Sequence, residues 1–193
     1  MAATFSNLCN EFLNVVTDTY VFYLDAFKGL EMVRTDVEDR QEADQFSDDN
    51  SDVPYLKQYE EPVELHKLVQ TNLGAFKKRN AEDGRNYEML GNLCLVAIYS
   101  WWEDSFREKF ATYLGKTKNE IKFPIMGDIR LLRIAIIHNT GVATEDCERC
   151  ELLKWFKRGD RIVLTFENFE RIILEIKIML ETFYMQSMIV GEE

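Results

Sequence analysis

Cysteine and histidine are scarce in this sequence, with four and two copies among 193 residues. Two of the cysteines are isolated, which excludes the disulfide framework of a small secreted domain. Cys147 and Cys150 form a C-x-x-C pair, but a zinc site needs a second pair or an H-x-x-x-H spacing, and neither exists. A redox motif would need a βαβ context, which is also missing. We therefore interpret the pair as a coincidence of spacing on a polar helix and expect no metal ion or other cofactor.

Long apolar runs and an N-terminal cationic stretch are missing too. The longest near-apolar run, residues 93–102, is far too short to span a bilayer. The first lysine is Lys28, so no signal peptide is expected. There is no glycine-rich phosphate loop, internal repeat or strand-rich block. An apolar content of 46% suffices for one domain with a full core, and we expect a reduced, cytoplasmic protein with no membrane partner.

Basic residues are outnumbered, and the net charge of −11 argues against a nucleic-acid partner. The distribution weakens that objection, because residues 35–53 alone carry −7. Residues 122–161 hold eight basic against six acidic side chains. We expect residues 35–53, which have few apolar anchors, to form a long, mobile acidic loop after the first helix. A lid over a basic cleft, or a nucleic-acid mimic, is the alternative.

Apolar residues recur at three- and four-residue spacing almost throughout, which is typical of amphipathic helices. The fold class is therefore predicted to be all-α, a helical bundle of about five main helices in a single domain over residues 1–193. One short extended piece is possible at residues 161–166. The predicted helices cover residues 4–33, Pro62 to Phe76, residues 86–114 ended by Gly115, Asp128 as N-cap to just before Gly141, and a last helix capped by Thr165.

Two further candidates are best explained as structural. His66 follows a predicted helix start and has no partner at catalytic spacing. Trp101 and Trp102 lie in the middle of a predicted helix, where core packing outranks base stacking.

The segment RLLRIAIIHN, residues 130–139, places a charge where the pattern predicts core. On a helical wheel Arg133 lies inside the apolar arc of a helix that is apolar nearly all round. An unpaired charge there is costly, so Arg133 must meet a carboxylate, a subunit interface or a polar cleft. The ordinary explanation is that Arg133 pairs with a buried acid while His138 satisfies carbonyls at the helix end.

The surrounding stretch GDIRLLRIAIIHNTGV, residues 127–142, resembles the signature of the HEPN superfamily (higher eukaryotes and prokaryotes nucleotide-binding domains). That signature is an arginine, four to six residues and a histidine late in a helical bundle, often followed by asparagine and a glycine turn. Arg133 and His138 satisfy the spacing, and Asn139 with Gly141 matches the tail. Residues 156–181 also look like the family's closing connection and long helix. Active members commonly carry a polar residue directly after the arginine, whereas this chain has Ile134.

The resemblance implies a metal-independent endoribonuclease of toxin or antiviral-effector type acting on single-stranded RNA. A ribose 2′-hydroxyl attacks the adjacent phosphorus, leaving a 2′,3′-cyclic phosphate and a 5′-hydroxyl. Arg133 and His138 would be catalytic, since histidine transfers protons near pH 7 and arginine is a permanently charged fork for phosphate. Arg130 and Asn139 would support them or bind phosphate; their ordinary roles are a surface arginine and a helix C-cap.

The expected assembly is a homodimer. Arg133 and His138 are about 140° apart on a straight helix, so one helix does not easily aim both at one phosphate. A distorted helix end would solve this, as would two motifs facing each other in the dimeric cleft that is usual in the family. An antitoxin or defence-system protein is a further possible partner. The alternative function is a non-catalytic HEPN-like module that binds a nucleotide or a protein, which Ile134 and the overall acidity favour.

Overall fold

The computed structural model describes residues 4–43, 46, 48–51, 53 and 72–190. Helices account for about 74% of these residues. The described part of the chain has no strand, and an isolated antiparallel bridge joins Val142 to Arg161. The predicted all-α bundle is therefore confirmed, and the extended piece expected at residues 161–166 amounts to that single bridge.

Six α-helices follow one another along the described residues, and a π-helical turn joins the third to the fourth. Short 3-10 turns lie at Lys118–Glu120 and Glu145–Arg149. The helices are α1 (Phe5–Glu42), α2 (Leu73–Asn80), α3 (Arg85–Trp101), α4 (Arg107–Tyr113), α5 (Pro124–His138) and α6 (Phe166–Val190). Among the described residues, no helix combines the length and the apolarity needed to cross a bilayer.

Helix α1 extends into the acidic segment, so the expectation of a loop beginning at residue 35 is wrong. Residues 35–42 are helical, and ion pairs at four-residue spacing support them: Arg34 with Glu38 at 4.0 Å and Asp36 with Arg40 at 3.0 Å. The charged side chains of residues 36–42 thus lie on an exposed part of a helix rather than in a loop.

The few apolar residues of the acidic segment are its anchors. Val37 is buried in one cluster with Leu73 and Phe76 of α2, and Phe46 and Val53 pack against that cluster. The backbone is tied down as well, because the N–H of Leu73 donates to the carbonyl of residue 51 at 2.9 Å. Val37, Phe46 and Val53 thus anchor parts of the segment, and the mobility of the rest stays a prediction.

The described residues group into two compact units. One comprises those of Asp25–Met89, which contain the cluster around Leu73. The other comprises those of Met1–Leu24 and Leu90–Glu193. Its core is aromatic: the ring of Phe12 lies 5.4 Å from Trp102 and 5.0 Å from Phe106, and Tyr23 stacks on Phe169 at 4.3 Å.

The third predicted helix, residues 86–114, is present with one irregularity. Residues Trp102–Phe106 form a π-helical turn, in which the N–H of Arg107 donates to the carbonyl of Trp102. Such turns replace the four-residue step of an α-helix by five and are frequent at functional sites. Gly115, with φ of 64°, follows the end of the helix as predicted.

Helix α5 begins at Pro124 rather than after Asp128, which corrects the predicted N-cap. Proline suits the first turn because its missing N–H is not needed there. Asp128 is 2% exposed, and its carboxylate accepts the backbone N–H groups of residues 151, 152 and 153 at 2.8, 2.7 and 2.8 Å. It therefore fastens the loop after α5 to that helix.

The last helix begins as predicted. The hydroxyl of Thr165 accepts the N–H of Asn168, whose side-chain oxygen accepts the N–H of Thr165, both at 3.2 Å. The start of the helix expected from Pro62 lies outside the described residues, whereas its last two apolar positions, Leu73 and Phe76, are buried in α2.

Candidate functional site

Arg133 and His138 line the same cleft of a single chain. This cleft, of about 470 Å³, lies between α5 and the region where α3 meets the π-helical turn. We call it the Arg133 cleft. Helix α5 contributes Arg130, Arg133, Ile134 and His138, and the opposite wall is formed by Tyr99, Ser100, Glu103 and Asp104. The angular separation on an ideal wheel therefore does not keep the pair apart, because arginine has a long side chain and His138 is the last residue of the helix.

Arg133 lines a polar cleft, as its position in the apolar arc required, but its side chain pairs with none of the described residues. The residue is half-buried, and its Nε atom is fully buried with no hydrogen-bond partner. It forms no salt bridge with any residue that the structure describes, so the expected pairing with a buried acid is absent there. An unsatisfied buried donor costs about 1–3 kcal/mol. The Nη groups also bond to none of the described residues, and it is they that retain hydrogen-bonding capacity for an acceptor in the cleft.

Arg130 and His138 are both exposed at the cleft. Neither side chain is engaged in a hydrogen bond or an ion pair with the described residues. Three side chains that bind phosphate or transfer protons thus face one open space, and all three are free to act on a bound anion.

Glu103 is one of the cleft residues that the sequence did not single out. Its carboxylate accepts hydrogen bonds from Arg107 at 2.8 Å and from Tyr99 at 3.4 Å, and it lies 3.0 Å from the ammonium of Lys118. Burial raises the pKa of Glu103, but the bonds from Lys118 and Arg107 outweigh it and leave the pKa below its ordinary value. Glu103 is therefore a fixed anion opposite the arginines.

Tyr99 stays a neutral donor beside that anion. Burial and the nearby charge of Glu103 raise the pKa of Tyr99. Tyr99, Glu103 and Arg107 follow one another at four-residue spacing on one helical face. That spacing was the available signal, and it was obscured by the apolar stripe of the same helix.

Asn139 does not line the cleft. It is the C-cap of α5, and its side-chain amide donates to the carbonyl of Val142 at 2.7 Å. Thr140 and Gly141 follow with φ of 51° and 79°, a left-handed turn that suits glycine at the second position. The side chain thus stabilises the turn after the helix, and this is the ordinary role rather than that of orienting His138.

No family model, curated protein or solved structure matches this chain. The resemblance to HEPN domains therefore rests on residues 127–142 and on the helical organisation.

The C-x-x-C pair has a structural role. Both cysteines are buried around a 3-10 turn rather than exposed on a polar helix. Their sulfur atoms lie 3.9 Å from backbone carbonyls of α5, Cys147 from Leu131 and Cys150 from Asp128. Burial, with the nearby Asp128 and Cys147, raises the pKa of Cys150 to about 12. No group of three or more His, Cys, Asp or Glu among the described residues is placed to hold a metal ion.

The two adjacent tryptophans have opposite environments. Trp102 is 2% exposed and packs in the aromatic core, as predicted. Trp101 is 48% exposed, so core packing does not account for it. His66 lies outside the described residues.

Proposed function

We propose that this chain is a metal-independent endoribonuclease that cleaves single-stranded RNA through Arg133 and His138. The observation that carries the proposal is the convergence of Arg130, Arg133 and His138 on one cleft, where none of the three side chains is paired with any of the described residues. A phosphate oxygen supplies the acceptor that the Arg133 guanidinium lacks.

In the reaction, the 2′-hydroxyl loses its proton as its oxygen bonds to phosphorus, and the bond from phosphorus to the 5′ oxygen breaks. The departing oxygen gains a proton, and the products are a 2′,3′-cyclic phosphate and a 5′-hydroxyl. His138 accepts or delivers one of these protons. Arg133 stabilises the negative charge that develops on the phosphorane oxygens. The active protein would serve as a toxin or an antiviral effector, controlled by an antitoxin or a defence-system partner.

A second copy of the chain is proposed to cover an apolar groove beside the site. The groove, about 500 Å³, includes Phe22, Leu93 and Trp101, which are 61%, 61% and 48% exposed. Such a patch of large side chains is typical of an interface. A surface that includes Trp101, Ser100 and Asp104 continues the groove into the Arg133 cleft. A two-fold dimer on this groove would therefore bring two Arg133 clefts to neighbouring positions.

The test uses end-labelled single-stranded RNA in EDTA. Wild-type protein should cleave it, and an RNA with one deoxyribose at the cut position should resist. His138→Ala should lose about 10²–10⁴-fold in rate, while His66→Ala, the matched change at the only other histidine, should not. Arg133→Lys should also be defective, because lysine keeps the charge but not the bidentate fork. Cleavage that needs a metal ion, or that persists undiminished in His138→Ala, would refute the mechanism.

The same variants can be tested in cells. Induction of the wild-type gene should stop bacterial growth, and induction of the Arg133→Ala or His138→Ala gene should not.

A non-catalytic module that binds a nucleotide or a protein is the second candidate. It is favoured by Ile134, which lines the cleft next to Arg133, and by Glu103 and Asp104, whose charges repel a polyanion. Binding of RNA or of a nucleotide with no cleavage of any RNA would support this candidate.

A further inference from the structure

A second and larger cleft adjoins the Arg133 cleft. It encloses about 700 Å³ around the segment that leads into α5. We call it the Lys122 cleft. It shares Tyr99, Glu103 and Arg130 with the Arg133 cleft, so an extended ligand can occupy both. Its volume lies within the range of about 300–1,000 Å³ that is typical of sites for small ligands.

The Lys122 cleft combines an apolar floor with a polar rim. Trp102, Ile121 and Met126 are buried beneath it, and the ring of Phe123 is half-buried in its wall. Asn119 is exposed at the rim, where its amide can both donate and accept hydrogen bonds. A flat aromatic heterocycle with donors and acceptors on its edge matches this combination.

The charges of the Lys122 cleft favour an anion. Four basic and three acidic side chains line it, in a chain whose net charge is −11. Asp128 accepts three backbone N–H groups, Glu103 binds Arg107 and Lys118, and Arg149 binds Asp146. Lys122, Arg130 and the acid Glu151 remain. Lys122 and Arg130 are exposed and form no salt bridge with the described residues. One of these two free positive charges, that of Arg130, belongs to both clefts.

We propose that the Lys122 cleft is a nucleotide subsite of the ribonuclease. It holds the base and the sugar of one nucleotide of the RNA, and Lys122 and Arg130 hold its phosphate, so that the neighbouring scissile phosphate lies at Arg133 and His138. The proposal rests on the proposed function for the identity of the substrate, but binding of a single nucleotide is measurable without catalysis.

Gly127 offers a way to fill the Lys122 cleft without disturbing the fold. It lies within α5 and lines the cleft, and a Cβ atom built there meets nothing within 4 Å. Phenylalanine at this position is a better helix former than glycine and occupies the cleft. Gly29 is the matched control, since it lies on α1, outside both clefts, and a Cβ atom there also meets nothing within 4 Å.

The experiment is a titration of ¹⁵N-labelled protein with adenosine and cytidine 5′-monophosphates, followed by NMR, with ribose 5-phosphate and inorganic phosphate as separate probes. The nucleotides should shift the amide signals of Lys122, Gly127 and Arg130. Gly127→Phe should weaken binding at least about tenfold, and Gly29→Phe should leave it unchanged. Lys122→Glu should weaken it as well, whereas Lys154→Glu, at an exposed lysine outside both clefts, should not.

Three results would overturn the subsite: no nucleotide binding at millimolar concentration, equal binding by Gly127→Phe, or equal affinity for inorganic phosphate, which would leave only an anion site. The two proposals fail separately. Nucleotide binding lost in Gly127→Phe, together with no cleavage of RNA by wild type, refutes the nuclease and keeps the subsite. RNA cleavage that is unchanged in Gly127→Phe refutes the subsite and keeps the nuclease.

Discussion

Removal of the Asp128 carboxylate should strongly destabilise the attachment of the loop that follows α5. The carboxylate is buried and accepts three backbone N–H groups at 2.7 to 2.8 Å. Hydrogen bonds to a charged group contribute about 1.5–3 kcal/mol each. Residues 151 and 152 are exposed, so water can replace part of what their amides lose. We therefore expect Asp128→Ala to lower the free energy of unfolding by about 3–5 kcal/mol.

Asp128→Asn should cost less, about 2 kcal/mol, because the amide oxygen can still accept two N–H groups while the NH₂ group faces the third donor. Urea unfolding followed by circular dichroism at 222 nm measures both losses. For a chain of this size, each kcal/mol corresponds to about 2–4 °C in Tm. Asp39→Asn, at an exposed position of α1, is the control and should change stability by less than about 0.5 kcal/mol.

Hydrogen exchange locates the effect. The amides of residues 151–153 should lose protection in Asp128→Asn, while those of α6 keep theirs. If Asp128→Ala unfolds within about 1 kcal/mol of wild type, or if the three amides exchange equally fast in both proteins, then the carboxylate does not hold this loop.

Three further outcomes follow from the packing. All four thiols are buried, and burial raises the pKa of Cys9 and Cys94 to about 11 and that of Cys150 to about 12. A thiol reagent at pH 8 should therefore label the folded protein far more slowly than the urea-unfolded chain. Fast labelling of one thiol in the folded protein would contradict this. Burial raises the pKa of Glu103 but its two basic partners lower it by more, so Glu103→Gln should cost about 1 kcal/mol at pH 7. That cost should shrink as the pH falls through the pKa of Glu103 in the folded protein, since only the charged carboxylate binds its partners; an equal cost at pH 7 and pH 3 would argue against these ion pairs. Light scattering should show a dimer, and Leu93→Glu should dissociate it. Leu174→Glu, at an exposed position of α6 outside the groove, should leave the dimer intact. A monomeric wild type at high micromolar concentration would exclude the dimer.

The spacing of apolar residues was sufficient to predict the helices, because amphipathic periodicity is a local property of the chain. It failed for the acidic segment, where composition suggested solvation. Val37 is helical and buried because Leu73 and Phe76 pack on it, and nothing within residues 35–53 reveals that distant contact. Asp128 was assigned as an N-cap for a similar reason, since its true partners lie 23 to 25 residues further along the chain.

The residues of the candidate site also fall into those that the sequence could predict and those that it could not. Arg133 and His138 could be picked out because they share one helix and one short motif. Glu103 could not, since it faces them from another helix and only tertiary packing brings the two walls together. The wheel argument also assumed that side chains point radially, which underestimates the reach of an arginine and the freedom of a helix end.

The π-helical turn makes the length of this helix a constraint on the site. It accommodates one residue more than an α-helix would over the same rise, with the N–H of Arg107 reaching back to Trp102. Deletion of Ser105 would let ordinary α-helical bonding close the gap, and the chain would remain helical. The residues before the deletion would then be rotated by about 100° relative to those after it. Tyr99, Ser100, Glu103 and Asp104, which form the wall opposite Arg133, would then be turned relative to Arg107 and α4, in a helix that still appears intact by circular dichroism.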